Sequence, residues 1–169
     1  MLKVIEYKDS QSINIKYDLY TPINIEFGSW NILKEPTIYW RTGDFKKSLI
    51  EIGIGKYTGS LRSITLTLSG NIHKMERSKL AKEDLKMLKG VPIFQVEEFN
   101  EKTYIDEKGK LDVYMWTDEV FISFSSNDLV SILQNDTVEF ALDKNKVVCG
   151  IIISSVLEHE MKTLEDILN

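Results

Sequence analysis

A chain of 169 residues, of which 43 % are apolar and 28 % are charged, is expected to fold as a single domain over residues 1–169. The net charge of −5 and the low share of arginine among the 21 cationic residues argue against a nucleic-acid-binding surface. Cys149 is the one cysteine, which excludes an internal disulfide and a cysteine-based metal site. The lack of a long apolar run argues against a membrane span. The expected location is therefore the cytoplasm.

Apolar and polar residues alternate with a period of two along most of the chain, which predicts a mainly β fold of the α+β class. The expected arrangement is an antiparallel meander of about ten short strands joined by turns. In chain order the predicted strands occupy residues 13–20, 23–27, 37–40, 48–54, 61–72, 91–99, 101–105, 111–116, 119–125, 137–142 and 146–156.

Three glycines, Gly53, Gly55 and Gly59, lie where two of these strands meet. They do not match a phosphate-binding loop, because such a loop ends in Gly-Lys-Ser/Thr and leads into a helix, whereas here a strand follows the third glycine. A three-residue hairpin loop, 57–59, would instead place apolar residues opposite one another, with Gly59 in the left-handed conformation that closes such a loop. The expected pairs are Ile54 with Arg62, Ile52 with Ile64, and Ile50 with Leu66.

Apolar residues with the spacing of a helix occur in two segments. The segment 79–90 predicts a short helix that ends at Gly90. The segment 157–169 repeats apolar residues at steps of four, three and four, which predicts a C-terminal helix. Ser155, followed by Glu158 three residues later, is the expected N-cap of that helix. Both helices are expected to pack on the sheet.

Three later turns predict further hairpins by the same criterion of register. Loops at residues 107–109, 117–118 and 144–145 would each set apolar residues opposite one another. The expected pairs are Ile105 with Leu111, Met115 with Val120, and Phe140 with Cys149. Residues 147–153 are apolar at consecutive positions, so this strand is expected to be central and covered on both faces, on one of them by the C-terminal helix.

No motif for catalysis, nucleotide binding or metal binding rises above background. His159 lies on an acidic helical turn and is expected to be solvated, and Cys149 is expected to be a buried, inert thiol. His73 could act as a general base, but the residues near it in sequence supply neither a nucleophile nor an orienting partner. We therefore expect no catalytic residue, no metal site and no cofactor, and the sequence favours a protein without enzymatic activity.

Aromatic side chains distinguish two of the predicted strands. By alternation, Tyr39 and Arg41 lie on the face opposite Trp40, and Tyr114 and Trp116 lie opposite the apolar face of their hairpin. Sheet faces that carry tyrosine, tryptophan and arginine among polar residues are typical of binding surfaces. The alternative is that a helix or loop covers these residues and makes them part of the core. The other aromatic residue of this group is Trp30.

The stretch LIEIGIGKYTGSLRSITL, residues 49–66, resembles small bacterial proteins of the polymorphic-toxin immunity type, in which an apolar strand, a short Thr-Gly turn and Ser-Ile-Thr-Leu follow one another. The resemblance implies a non-enzymatic protein that neutralises a cognate protein toxin by tight binding. It also implies that the acidic segments 97–107 and 157–169 are candidate contacts with a basic nuclease toxin. Together with the aromatic faces, the predicted partner-binding residues are Tyr39, Arg41, Tyr114, Trp116, Glu98 and Glu101.

Two other interpretations stay open at this point. The chain could be a small ligand-binding module, or an enzyme whose site is assembled from distant residues, with His73, Asp44 and the aromatic residues as the first candidates. It could also form a homodimer through an exposed edge strand.

Overall fold

The computed structural model describes residues 1–29, 34–76 and 80–168. Trp30, Lys79 and Asn169 lie outside these described residues. Within them the chain forms fifteen strands, one α-helix and two 3-10 turns. In chain order the strands and the helix are β1 (Val4–Lys8), β2 (Ile13–Lys16), β3 (Ile23–Phe27), β4 (Thr37–Gly43), β5 (Leu49–Gly55), β6 (Leu61–Leu68), β7 (Ile72–Lys74), β8 (Lys86–Lys89), β9 (Val91–Phe94), β10 (Tyr104–Lys108), β11 (Asp112–Met115), β12 (Val120–Ser123), β13 (Leu129–Asn135), β14 (Val138–Asp143), β15 (Val148–Ile153) and α1 (Glu158–Leu168).

The strands form two large sheets and a two-stranded pair of β1 with β9. The first sheet has the order β10-β4-β5-β6-β3-β2, and the second sheet has the order β7-β11-β12-β15-β14-β13-β8. The edge strands β10, β7 and β8 run parallel to their neighbours, and the other pairs are antiparallel. The prediction of a mainly β fold with a C-terminal helix is confirmed, but the prediction of a purely antiparallel meander with fewer strands is wrong. Each parallel edge strand pairs with a segment distant in sequence, which alternation alone does not reveal.

The two large sheets face each other across a shared apolar core. Side chains from the inner faces of both sheets belong to one cluster of buried residues. Two ring contacts join the sheets. The ring centroids of Phe27 in β3 and Phe140 in β14 are 6.2 Å apart, and those of Trp40 in β4 and Phe124, which follows β12, are 5.4 Å apart. Removal of this apolar surface from water is the main favourable term for the arrangement.

The C-terminal helix α1 buries Met161 and Leu164 in the same core. The backbone N–H of Leu157, which precedes the helix, donates to Glu160 Oε2 at 3.0 Å and satisfies one of the free groups at the helix start. The prediction of Ser155 as the N-cap is wrong. Its φ of 58° places it in the left-handed region, within the turn that leads from β15 towards the helix.

The prediction of a second helix over residues 79–90 is wrong. Its described residues form a 3-10 turn, Lys82–Asp84, and then β8, which pairs in parallel with β13 so that Leu88 lies opposite Leu133. Leu85 packs on the outer side of the second sheet, whereas Leu88 packs on the shared core. The leucine spacing therefore reflects two sides of a sheet edge and not one face of a helix.

The β5–β6 hairpin keeps its predicted central pairs but has a different loop. These pairs are Ile52 with Ile64 and Ile50 with Leu66. Ile54 pairs with Leu61 instead of Arg62, and four residues, 56–59, form the loop. Arg62 is the extra residue of a β-bulge, which restores the register that the longer loop would otherwise have shifted. Gly59 adopts the predicted left-handed conformation, with φ of 68°.

The later hairpins have different outcomes. The pair Met115–Val120 is confirmed, and the pairs Ile105–Leu111 and Phe140–Cys149 are wrong. Ile105 lies in β10, which joins the first sheet, whereas β11 belongs to the second sheet. Phe140 faces Ile151 for two reasons. The loop is one residue longer than predicted, because the backbone N–H of Asp143 donates to the carbonyl of Val147, and a bulge between Ala141 and Leu142 shifts the register by one more residue.

Strand β15 is central, as predicted, and all of its residues are buried. Its inner side faces the shared core, and its outer side faces a second buried cluster to which Met75, Leu80 and Leu85 contribute. We call residues 75–85 the crossing segment, because they connect β7 and β8 at opposite edges of the second sheet. Its residues 77–79 are not described. The outer cover of β15 therefore includes the described residues Met75, Leu80 and Leu85 of this segment, whereas the C-terminal helix packs on the shared core.

Candidate functional site

The outer face of the first sheet brings together Tyr39, Arg41, Glu51, Tyr104 and Asp106, which we call the Tyr39 face. Strand β4 supplies Tyr39 and Arg41, whose apolar neighbours along the strand fill the shared core. In the register, Tyr39 lies beside Tyr104, and Arg41 lies between Asp106 and Glu51. The prediction that Tyr39 and Arg41 point away from the apolar face of their strand is confirmed.

The Arg41 guanidinium is held in a defined geometry. Its Nε donates to Asp106 Oδ1 at 2.7 Å, and its Nη2 donates to Asp106 Oδ2 at 2.9 Å. Its Cζ lies 4.4 Å from the centre of the Tyr104 ring, which stacks on Tyr39 with 5.4 Å between the ring centroids. The bidentate ion pair and the stack restrict the rotamers of these side chains, so they would lose little conformational freedom when a partner binds.

The Tyr39 face is open to solvent. Tyr104 is 47 % exposed, and Arg41 and Asp106 are partly exposed. Solvent screening limits the contribution of such an ion pair to folding to about 1 kcal/mol or less. Burial raises the pKa of the Glu51 carboxyl above its usual value; Arg41 opposes this shift and Asp106 adds to it. This arrangement therefore contributes little to stability.

Tyr114 and Trp116 lie on the outer face of the second sheet and are not part of the Tyr39 face. Trp116 is 6 % exposed and belongs to the buried cluster beneath the crossing segment. Tyr114 is half-buried, and its ring stacks on His73 at 4.7 Å and on Phe121 at 6.0 Å between centroids. Trp116 is therefore covered and part of the core, which is one of the two interpretations that the sequence left open.

Lys82 holds the crossing segment on the second sheet. Its Nζ lies 2.5 Å from a Glu119 oxygen and 2.8 Å from a Glu139 oxygen. Burial lowers the pKa of Lys82, but hydrogen bonds to the two carboxylates raise it by more, so the pKa lies above its usual value. One ammonium group thus bridges two carboxylates between the segment and the sheet.

His73 has a carboxylate partner that the sequence pattern did not reveal. Its Nε2 lies 2.9 Å from Asp112 Oδ1, and Lys110 Nζ lies 2.9 Å from Asp112 Oδ2. Burial raises the pKa of Asp112, but hydrogen bonds from His73 and Lys110 outweigh it, so the pKa lies below its usual value. In the described part of the chain, no Ser, Thr or Cys side chain is hydrogen-bonded to the His73 ring. The pair therefore lacks a nucleophile in this arrangement.

Asp44, the other candidate for an assembled site, serves a turn. Its carboxylate accepts hydrogen bonds from the backbone N–H groups of Lys46, Lys47 and Ser48 at 2.9, 2.7 and 2.8 Å. These bonds hold the pKa of Asp44 well below its usual range. The structure thus assigns Asp44 to the β4–β5 connection and does not pair it with His73.

The acidic candidates Glu98 and Glu101 lie between β9 and β10, and both are exposed. Glu101 Oε2 lies 3.4 Å from Lys56 Nζ. The same segment reaches the Tyr39 face, because the backbone N–H of Tyr39 donates to the carbonyl of Thr103 at 2.8 Å. An acidic segment therefore adjoins the aromatic face.

Glu51, Tyr104 and Asp106 complete the Tyr39 face and are not among the six predicted partner-binding residues, although Tyr104 and Asp106 lie within the acidic segment 97–107. Their spacing around Ile105 is itself a signal, because residues two apart in a strand share a face. The missing information is the parallel pairing of β10 with β4, two strands that are far apart in sequence.

No protein-family model matches the chain, and neither does any curated protein. Among the described residues, no helix combines the length and the apolar character needed to cross a membrane. No group of three or more His, Cys, Asp or Glu residues in the same described ranges is placed to hold a metal ion.

Proposed function

We propose that this chain is a non-enzymatic protein that binds another protein through the Tyr39 face. The observation that carries the proposal is the preformed stack of Tyr39, Tyr104 and Arg41, closed by the bidentate contact of Arg41 with Asp106. Tyrosine and arginine are among the residues that most often dominate binding energy at interfaces. A stack that exists before binding reduces the entropy lost on association.

The proposed partner is a protein toxin, which the chain would neutralise as an immunity protein by covering its active surface. The resemblance of residues 49–66 to such proteins supports this assignment. The charge supports it too, because the chain carries a net charge of −5 and the acidic Glu101 segment adjoins the Tyr39 face. Opposite charge on a basic toxin such as a nuclease would accelerate association.

Co-expression of the chain with a toxin encoded beside its gene tests the proposal. We expect a stable complex on size-exclusion chromatography, and we expect Tyr104→Ala to weaken binding at least about tenfold in a calorimetric titration. Tyr57→Ala is the matched control, because Tyr57 is exposed in the β5–β6 loop and is not part of the face. Equal losses in the two variants, or a chain that elutes alone, would contradict the proposal.

A second candidate function is small-ligand binding at the outer face of the second sheet, and the contact between His73 and Asp112 favours it. Asp112 lines a cleft of about 470 Å³ together with Tyr114 and Ser123. A ligand of this cleft should raise the melting temperature of the chain, and Asp112→Asn should abolish that shift. A protein that shows this shift and forms no complex with a neighbouring toxin would favour the second function over the first.

A further inference from the structure

A groove of about 640 Å³ opens between β1 and the strands β8, β13 and β14 of the second sheet. Its lining includes Val4, Leu133 and Leu142, which are buried members of the shared core, and Leu88, which packs against that core. The groove therefore leads from the surface to the apolar interior. Its volume lies within the range of about 300–1,000 Å³ that is usual for small-molecule sites.

Part of the rim of this groove is apolar and open to water. Ile5, Tyr7 and Val130 line it, and they are 51, 48 and 44 % exposed. An apolar chain in the groove would remove these side chains from water, at a gain of about 25 cal/mol for each Å² covered. Contiguous exposed apolar surface of this kind is uncommon on a monomer unless a ligand or partner covers it.

Lysines surround the same groove. Lys86, Lys144 and Lys146 line it, and Lys3 lines an adjoining hollow that shares Lys144 and Lys146. None of these four ammonium groups forms an ion pair with a carboxylate in the described part of the chain. Lys144 does act on the neighbouring Asp143 carboxyl, whose pKa its charge helps to lower. Four lysines without a close ion pair in the described part of the chain are still unexpected where the net charge of the chain is −5.

Two carboxylates, Glu6 and Asp143, also line the groove. Asp143 is buried, and its oxygens accept hydrogen bonds from two backbone N–H groups of its own loop and from the Asn127 amide. It therefore organises the loop that presents Lys144 and Lys146 and is itself already satisfied. The lysines leave the rim with a net positive charge.

We propose that this groove binds a single-chain amphiphile with a carboxylate head, such as a fatty acid. The alkyl chain would lie against Leu133 and Leu142, and the carboxylate would lie beside Lys144 and Lys146. A peptide fits the lining less well, because Tyr7 and Ser131 carry the uncharged polar side chains among the described lining residues and a peptide backbone needs many hydrogen-bond partners. This site is separate from the Tyr39 face and goes beyond the proposed function.

Titration calorimetry with laurate, below the concentration at which it forms micelles, tests the site. Dodecanol and dodecyltrimethylammonium present the same alkyl chain with a neutral and a cationic head. We expect laurate to bind at least tenfold more tightly than either, because only the carboxylate can pair with the lysines. Failure of laurate to bind, or equal affinity for the three compounds, would overturn the proposal.

Variants of the rim separate the contribution of the head from that of the chain. Lys144→Gln combined with Lys146→Asn should raise the dissociation constant for laurate about tenfold. Asparagine suits position 146 because Lys146 has a φ of 60° and asparagine tolerates the left-handed region. The control removes the same charge at Lys46 and Lys47, which do not line the groove, by substitution to glutamine. An equal loss of laurate affinity in both double variants would refute a role for the rim lysines.

A blocking variant and a membrane control complete the experiment. Val130→Trp should fill the mouth of the groove and abolish laurate binding without lowering the melting temperature, because Val130 is 44 % exposed and is the bulged residue of β13. Vesicles of phosphatidylcholine and phosphatidylglycerol distinguish a free amphiphile from a membrane surface. Association with the vesicles in the absence of laurate binding would contradict the assignment, as would unchanged laurate binding by Val130→Trp.

Discussion

Gly59 is under two separate constraints in the β5–β6 loop. Its φ is 68°, and a Cβ at this position would lie 2.3 Å from the carbonyl oxygen of Phe94. Gly59→Ala should therefore lower the free energy of unfolding by about 2–4 kcal/mol, more than the about 1–2 kcal/mol of the left-handed conformation alone. Gly28→Ala is the matched control, because Gly28 has a φ of 59° and would meet only the Gln11 side chain. Equal effects of the two variants in urea unfolding would show that the contact with Phe94 is unimportant.

Arg62, the bulged residue of the same hairpin, is buried beside Glu35. Its Nη2 lies 3.1 Å from Glu35 Oε1, and its Nη1 donates to Thr37 Oγ1 at 2.7 Å. Burial raises the pKa of Glu35, but hydrogen bonds from Thr58 and Tyr57 and the charge of Arg62 lower it by more. The folded-state pKa therefore lies below the unfolded value of about 4.3.

Glu35→Gln should destabilise the fold in a manner that depends on pH. Because the folded pKa is lower than the unfolded pKa, the ionised carboxylate stabilises the fold above about pH 4.3, and this contribution is lost as the pH falls through the folded pKa. We expect a loss of about 1–3 kcal/mol at neutral pH and a smaller loss at about pH 3. Urea unfolding at the two pH values measures the difference. A loss that is the same at both would argue against ionisation of Glu35 as its source.

For this hairpin, the sequence predicts the local conformation better than it predicts the tertiary contacts. The left-handed Gly59 follows from the needs of a tight turn, which a few neighbouring residues define. The bulge at Arg62 depends on Glu35, which precedes the hairpin and reaches its loop only in the folded chain. The sequence pattern therefore predicts the apolar pairs but not Arg62, the bulged residue that restores their register.

At the level of elements, the crossing segment depends on one cation. Lys82→Met would leave Glu139, which is buried, without its positive partner, so we expect a loss of about 2–4 kcal/mol at neutral pH. The loss should shrink at high pH, because the pKa of Lys82 is raised in the fold and the stabilising contribution of its ammonium group disappears as the pH rises through that pKa. Urea unfolding as a function of pH measures this loss in the free energy of unfolding. Lys89→Met is the control at an exposed position of β8, and an equal effect there would contradict the role of Lys82.

Elements were predictable where neighbours in sequence are neighbours in the sheet. The β5–β6 and β11–β12 hairpins follow from alternation and short turns. The parallel edge strands β8 and β10 pair with β13 and β4, and no local signal announces such partners. For the same reason alternation identified Tyr39 and Arg41 but not the rest of their face. The groove beside β1 is likewise assembled from segments at both ends of the chain.

For the whole molecule, the shared core predicts that the two large sheets unfold together. Phe140 of the second sheet packs against Phe27 of the first, so loss of either sheet would expose apolar surface of the other. Phe140→Leu should destabilise the fold by about 1–2 kcal/mol and should accelerate amide exchange in β5 and β15 by the same factor, about tenfold, where exchange follows the opening equilibrium. Lys89→Ala, at an exposed position, should leave both rates unchanged. Acceleration confined to β15 would show that the sheets are separate cooperative units, against the prediction of a single domain.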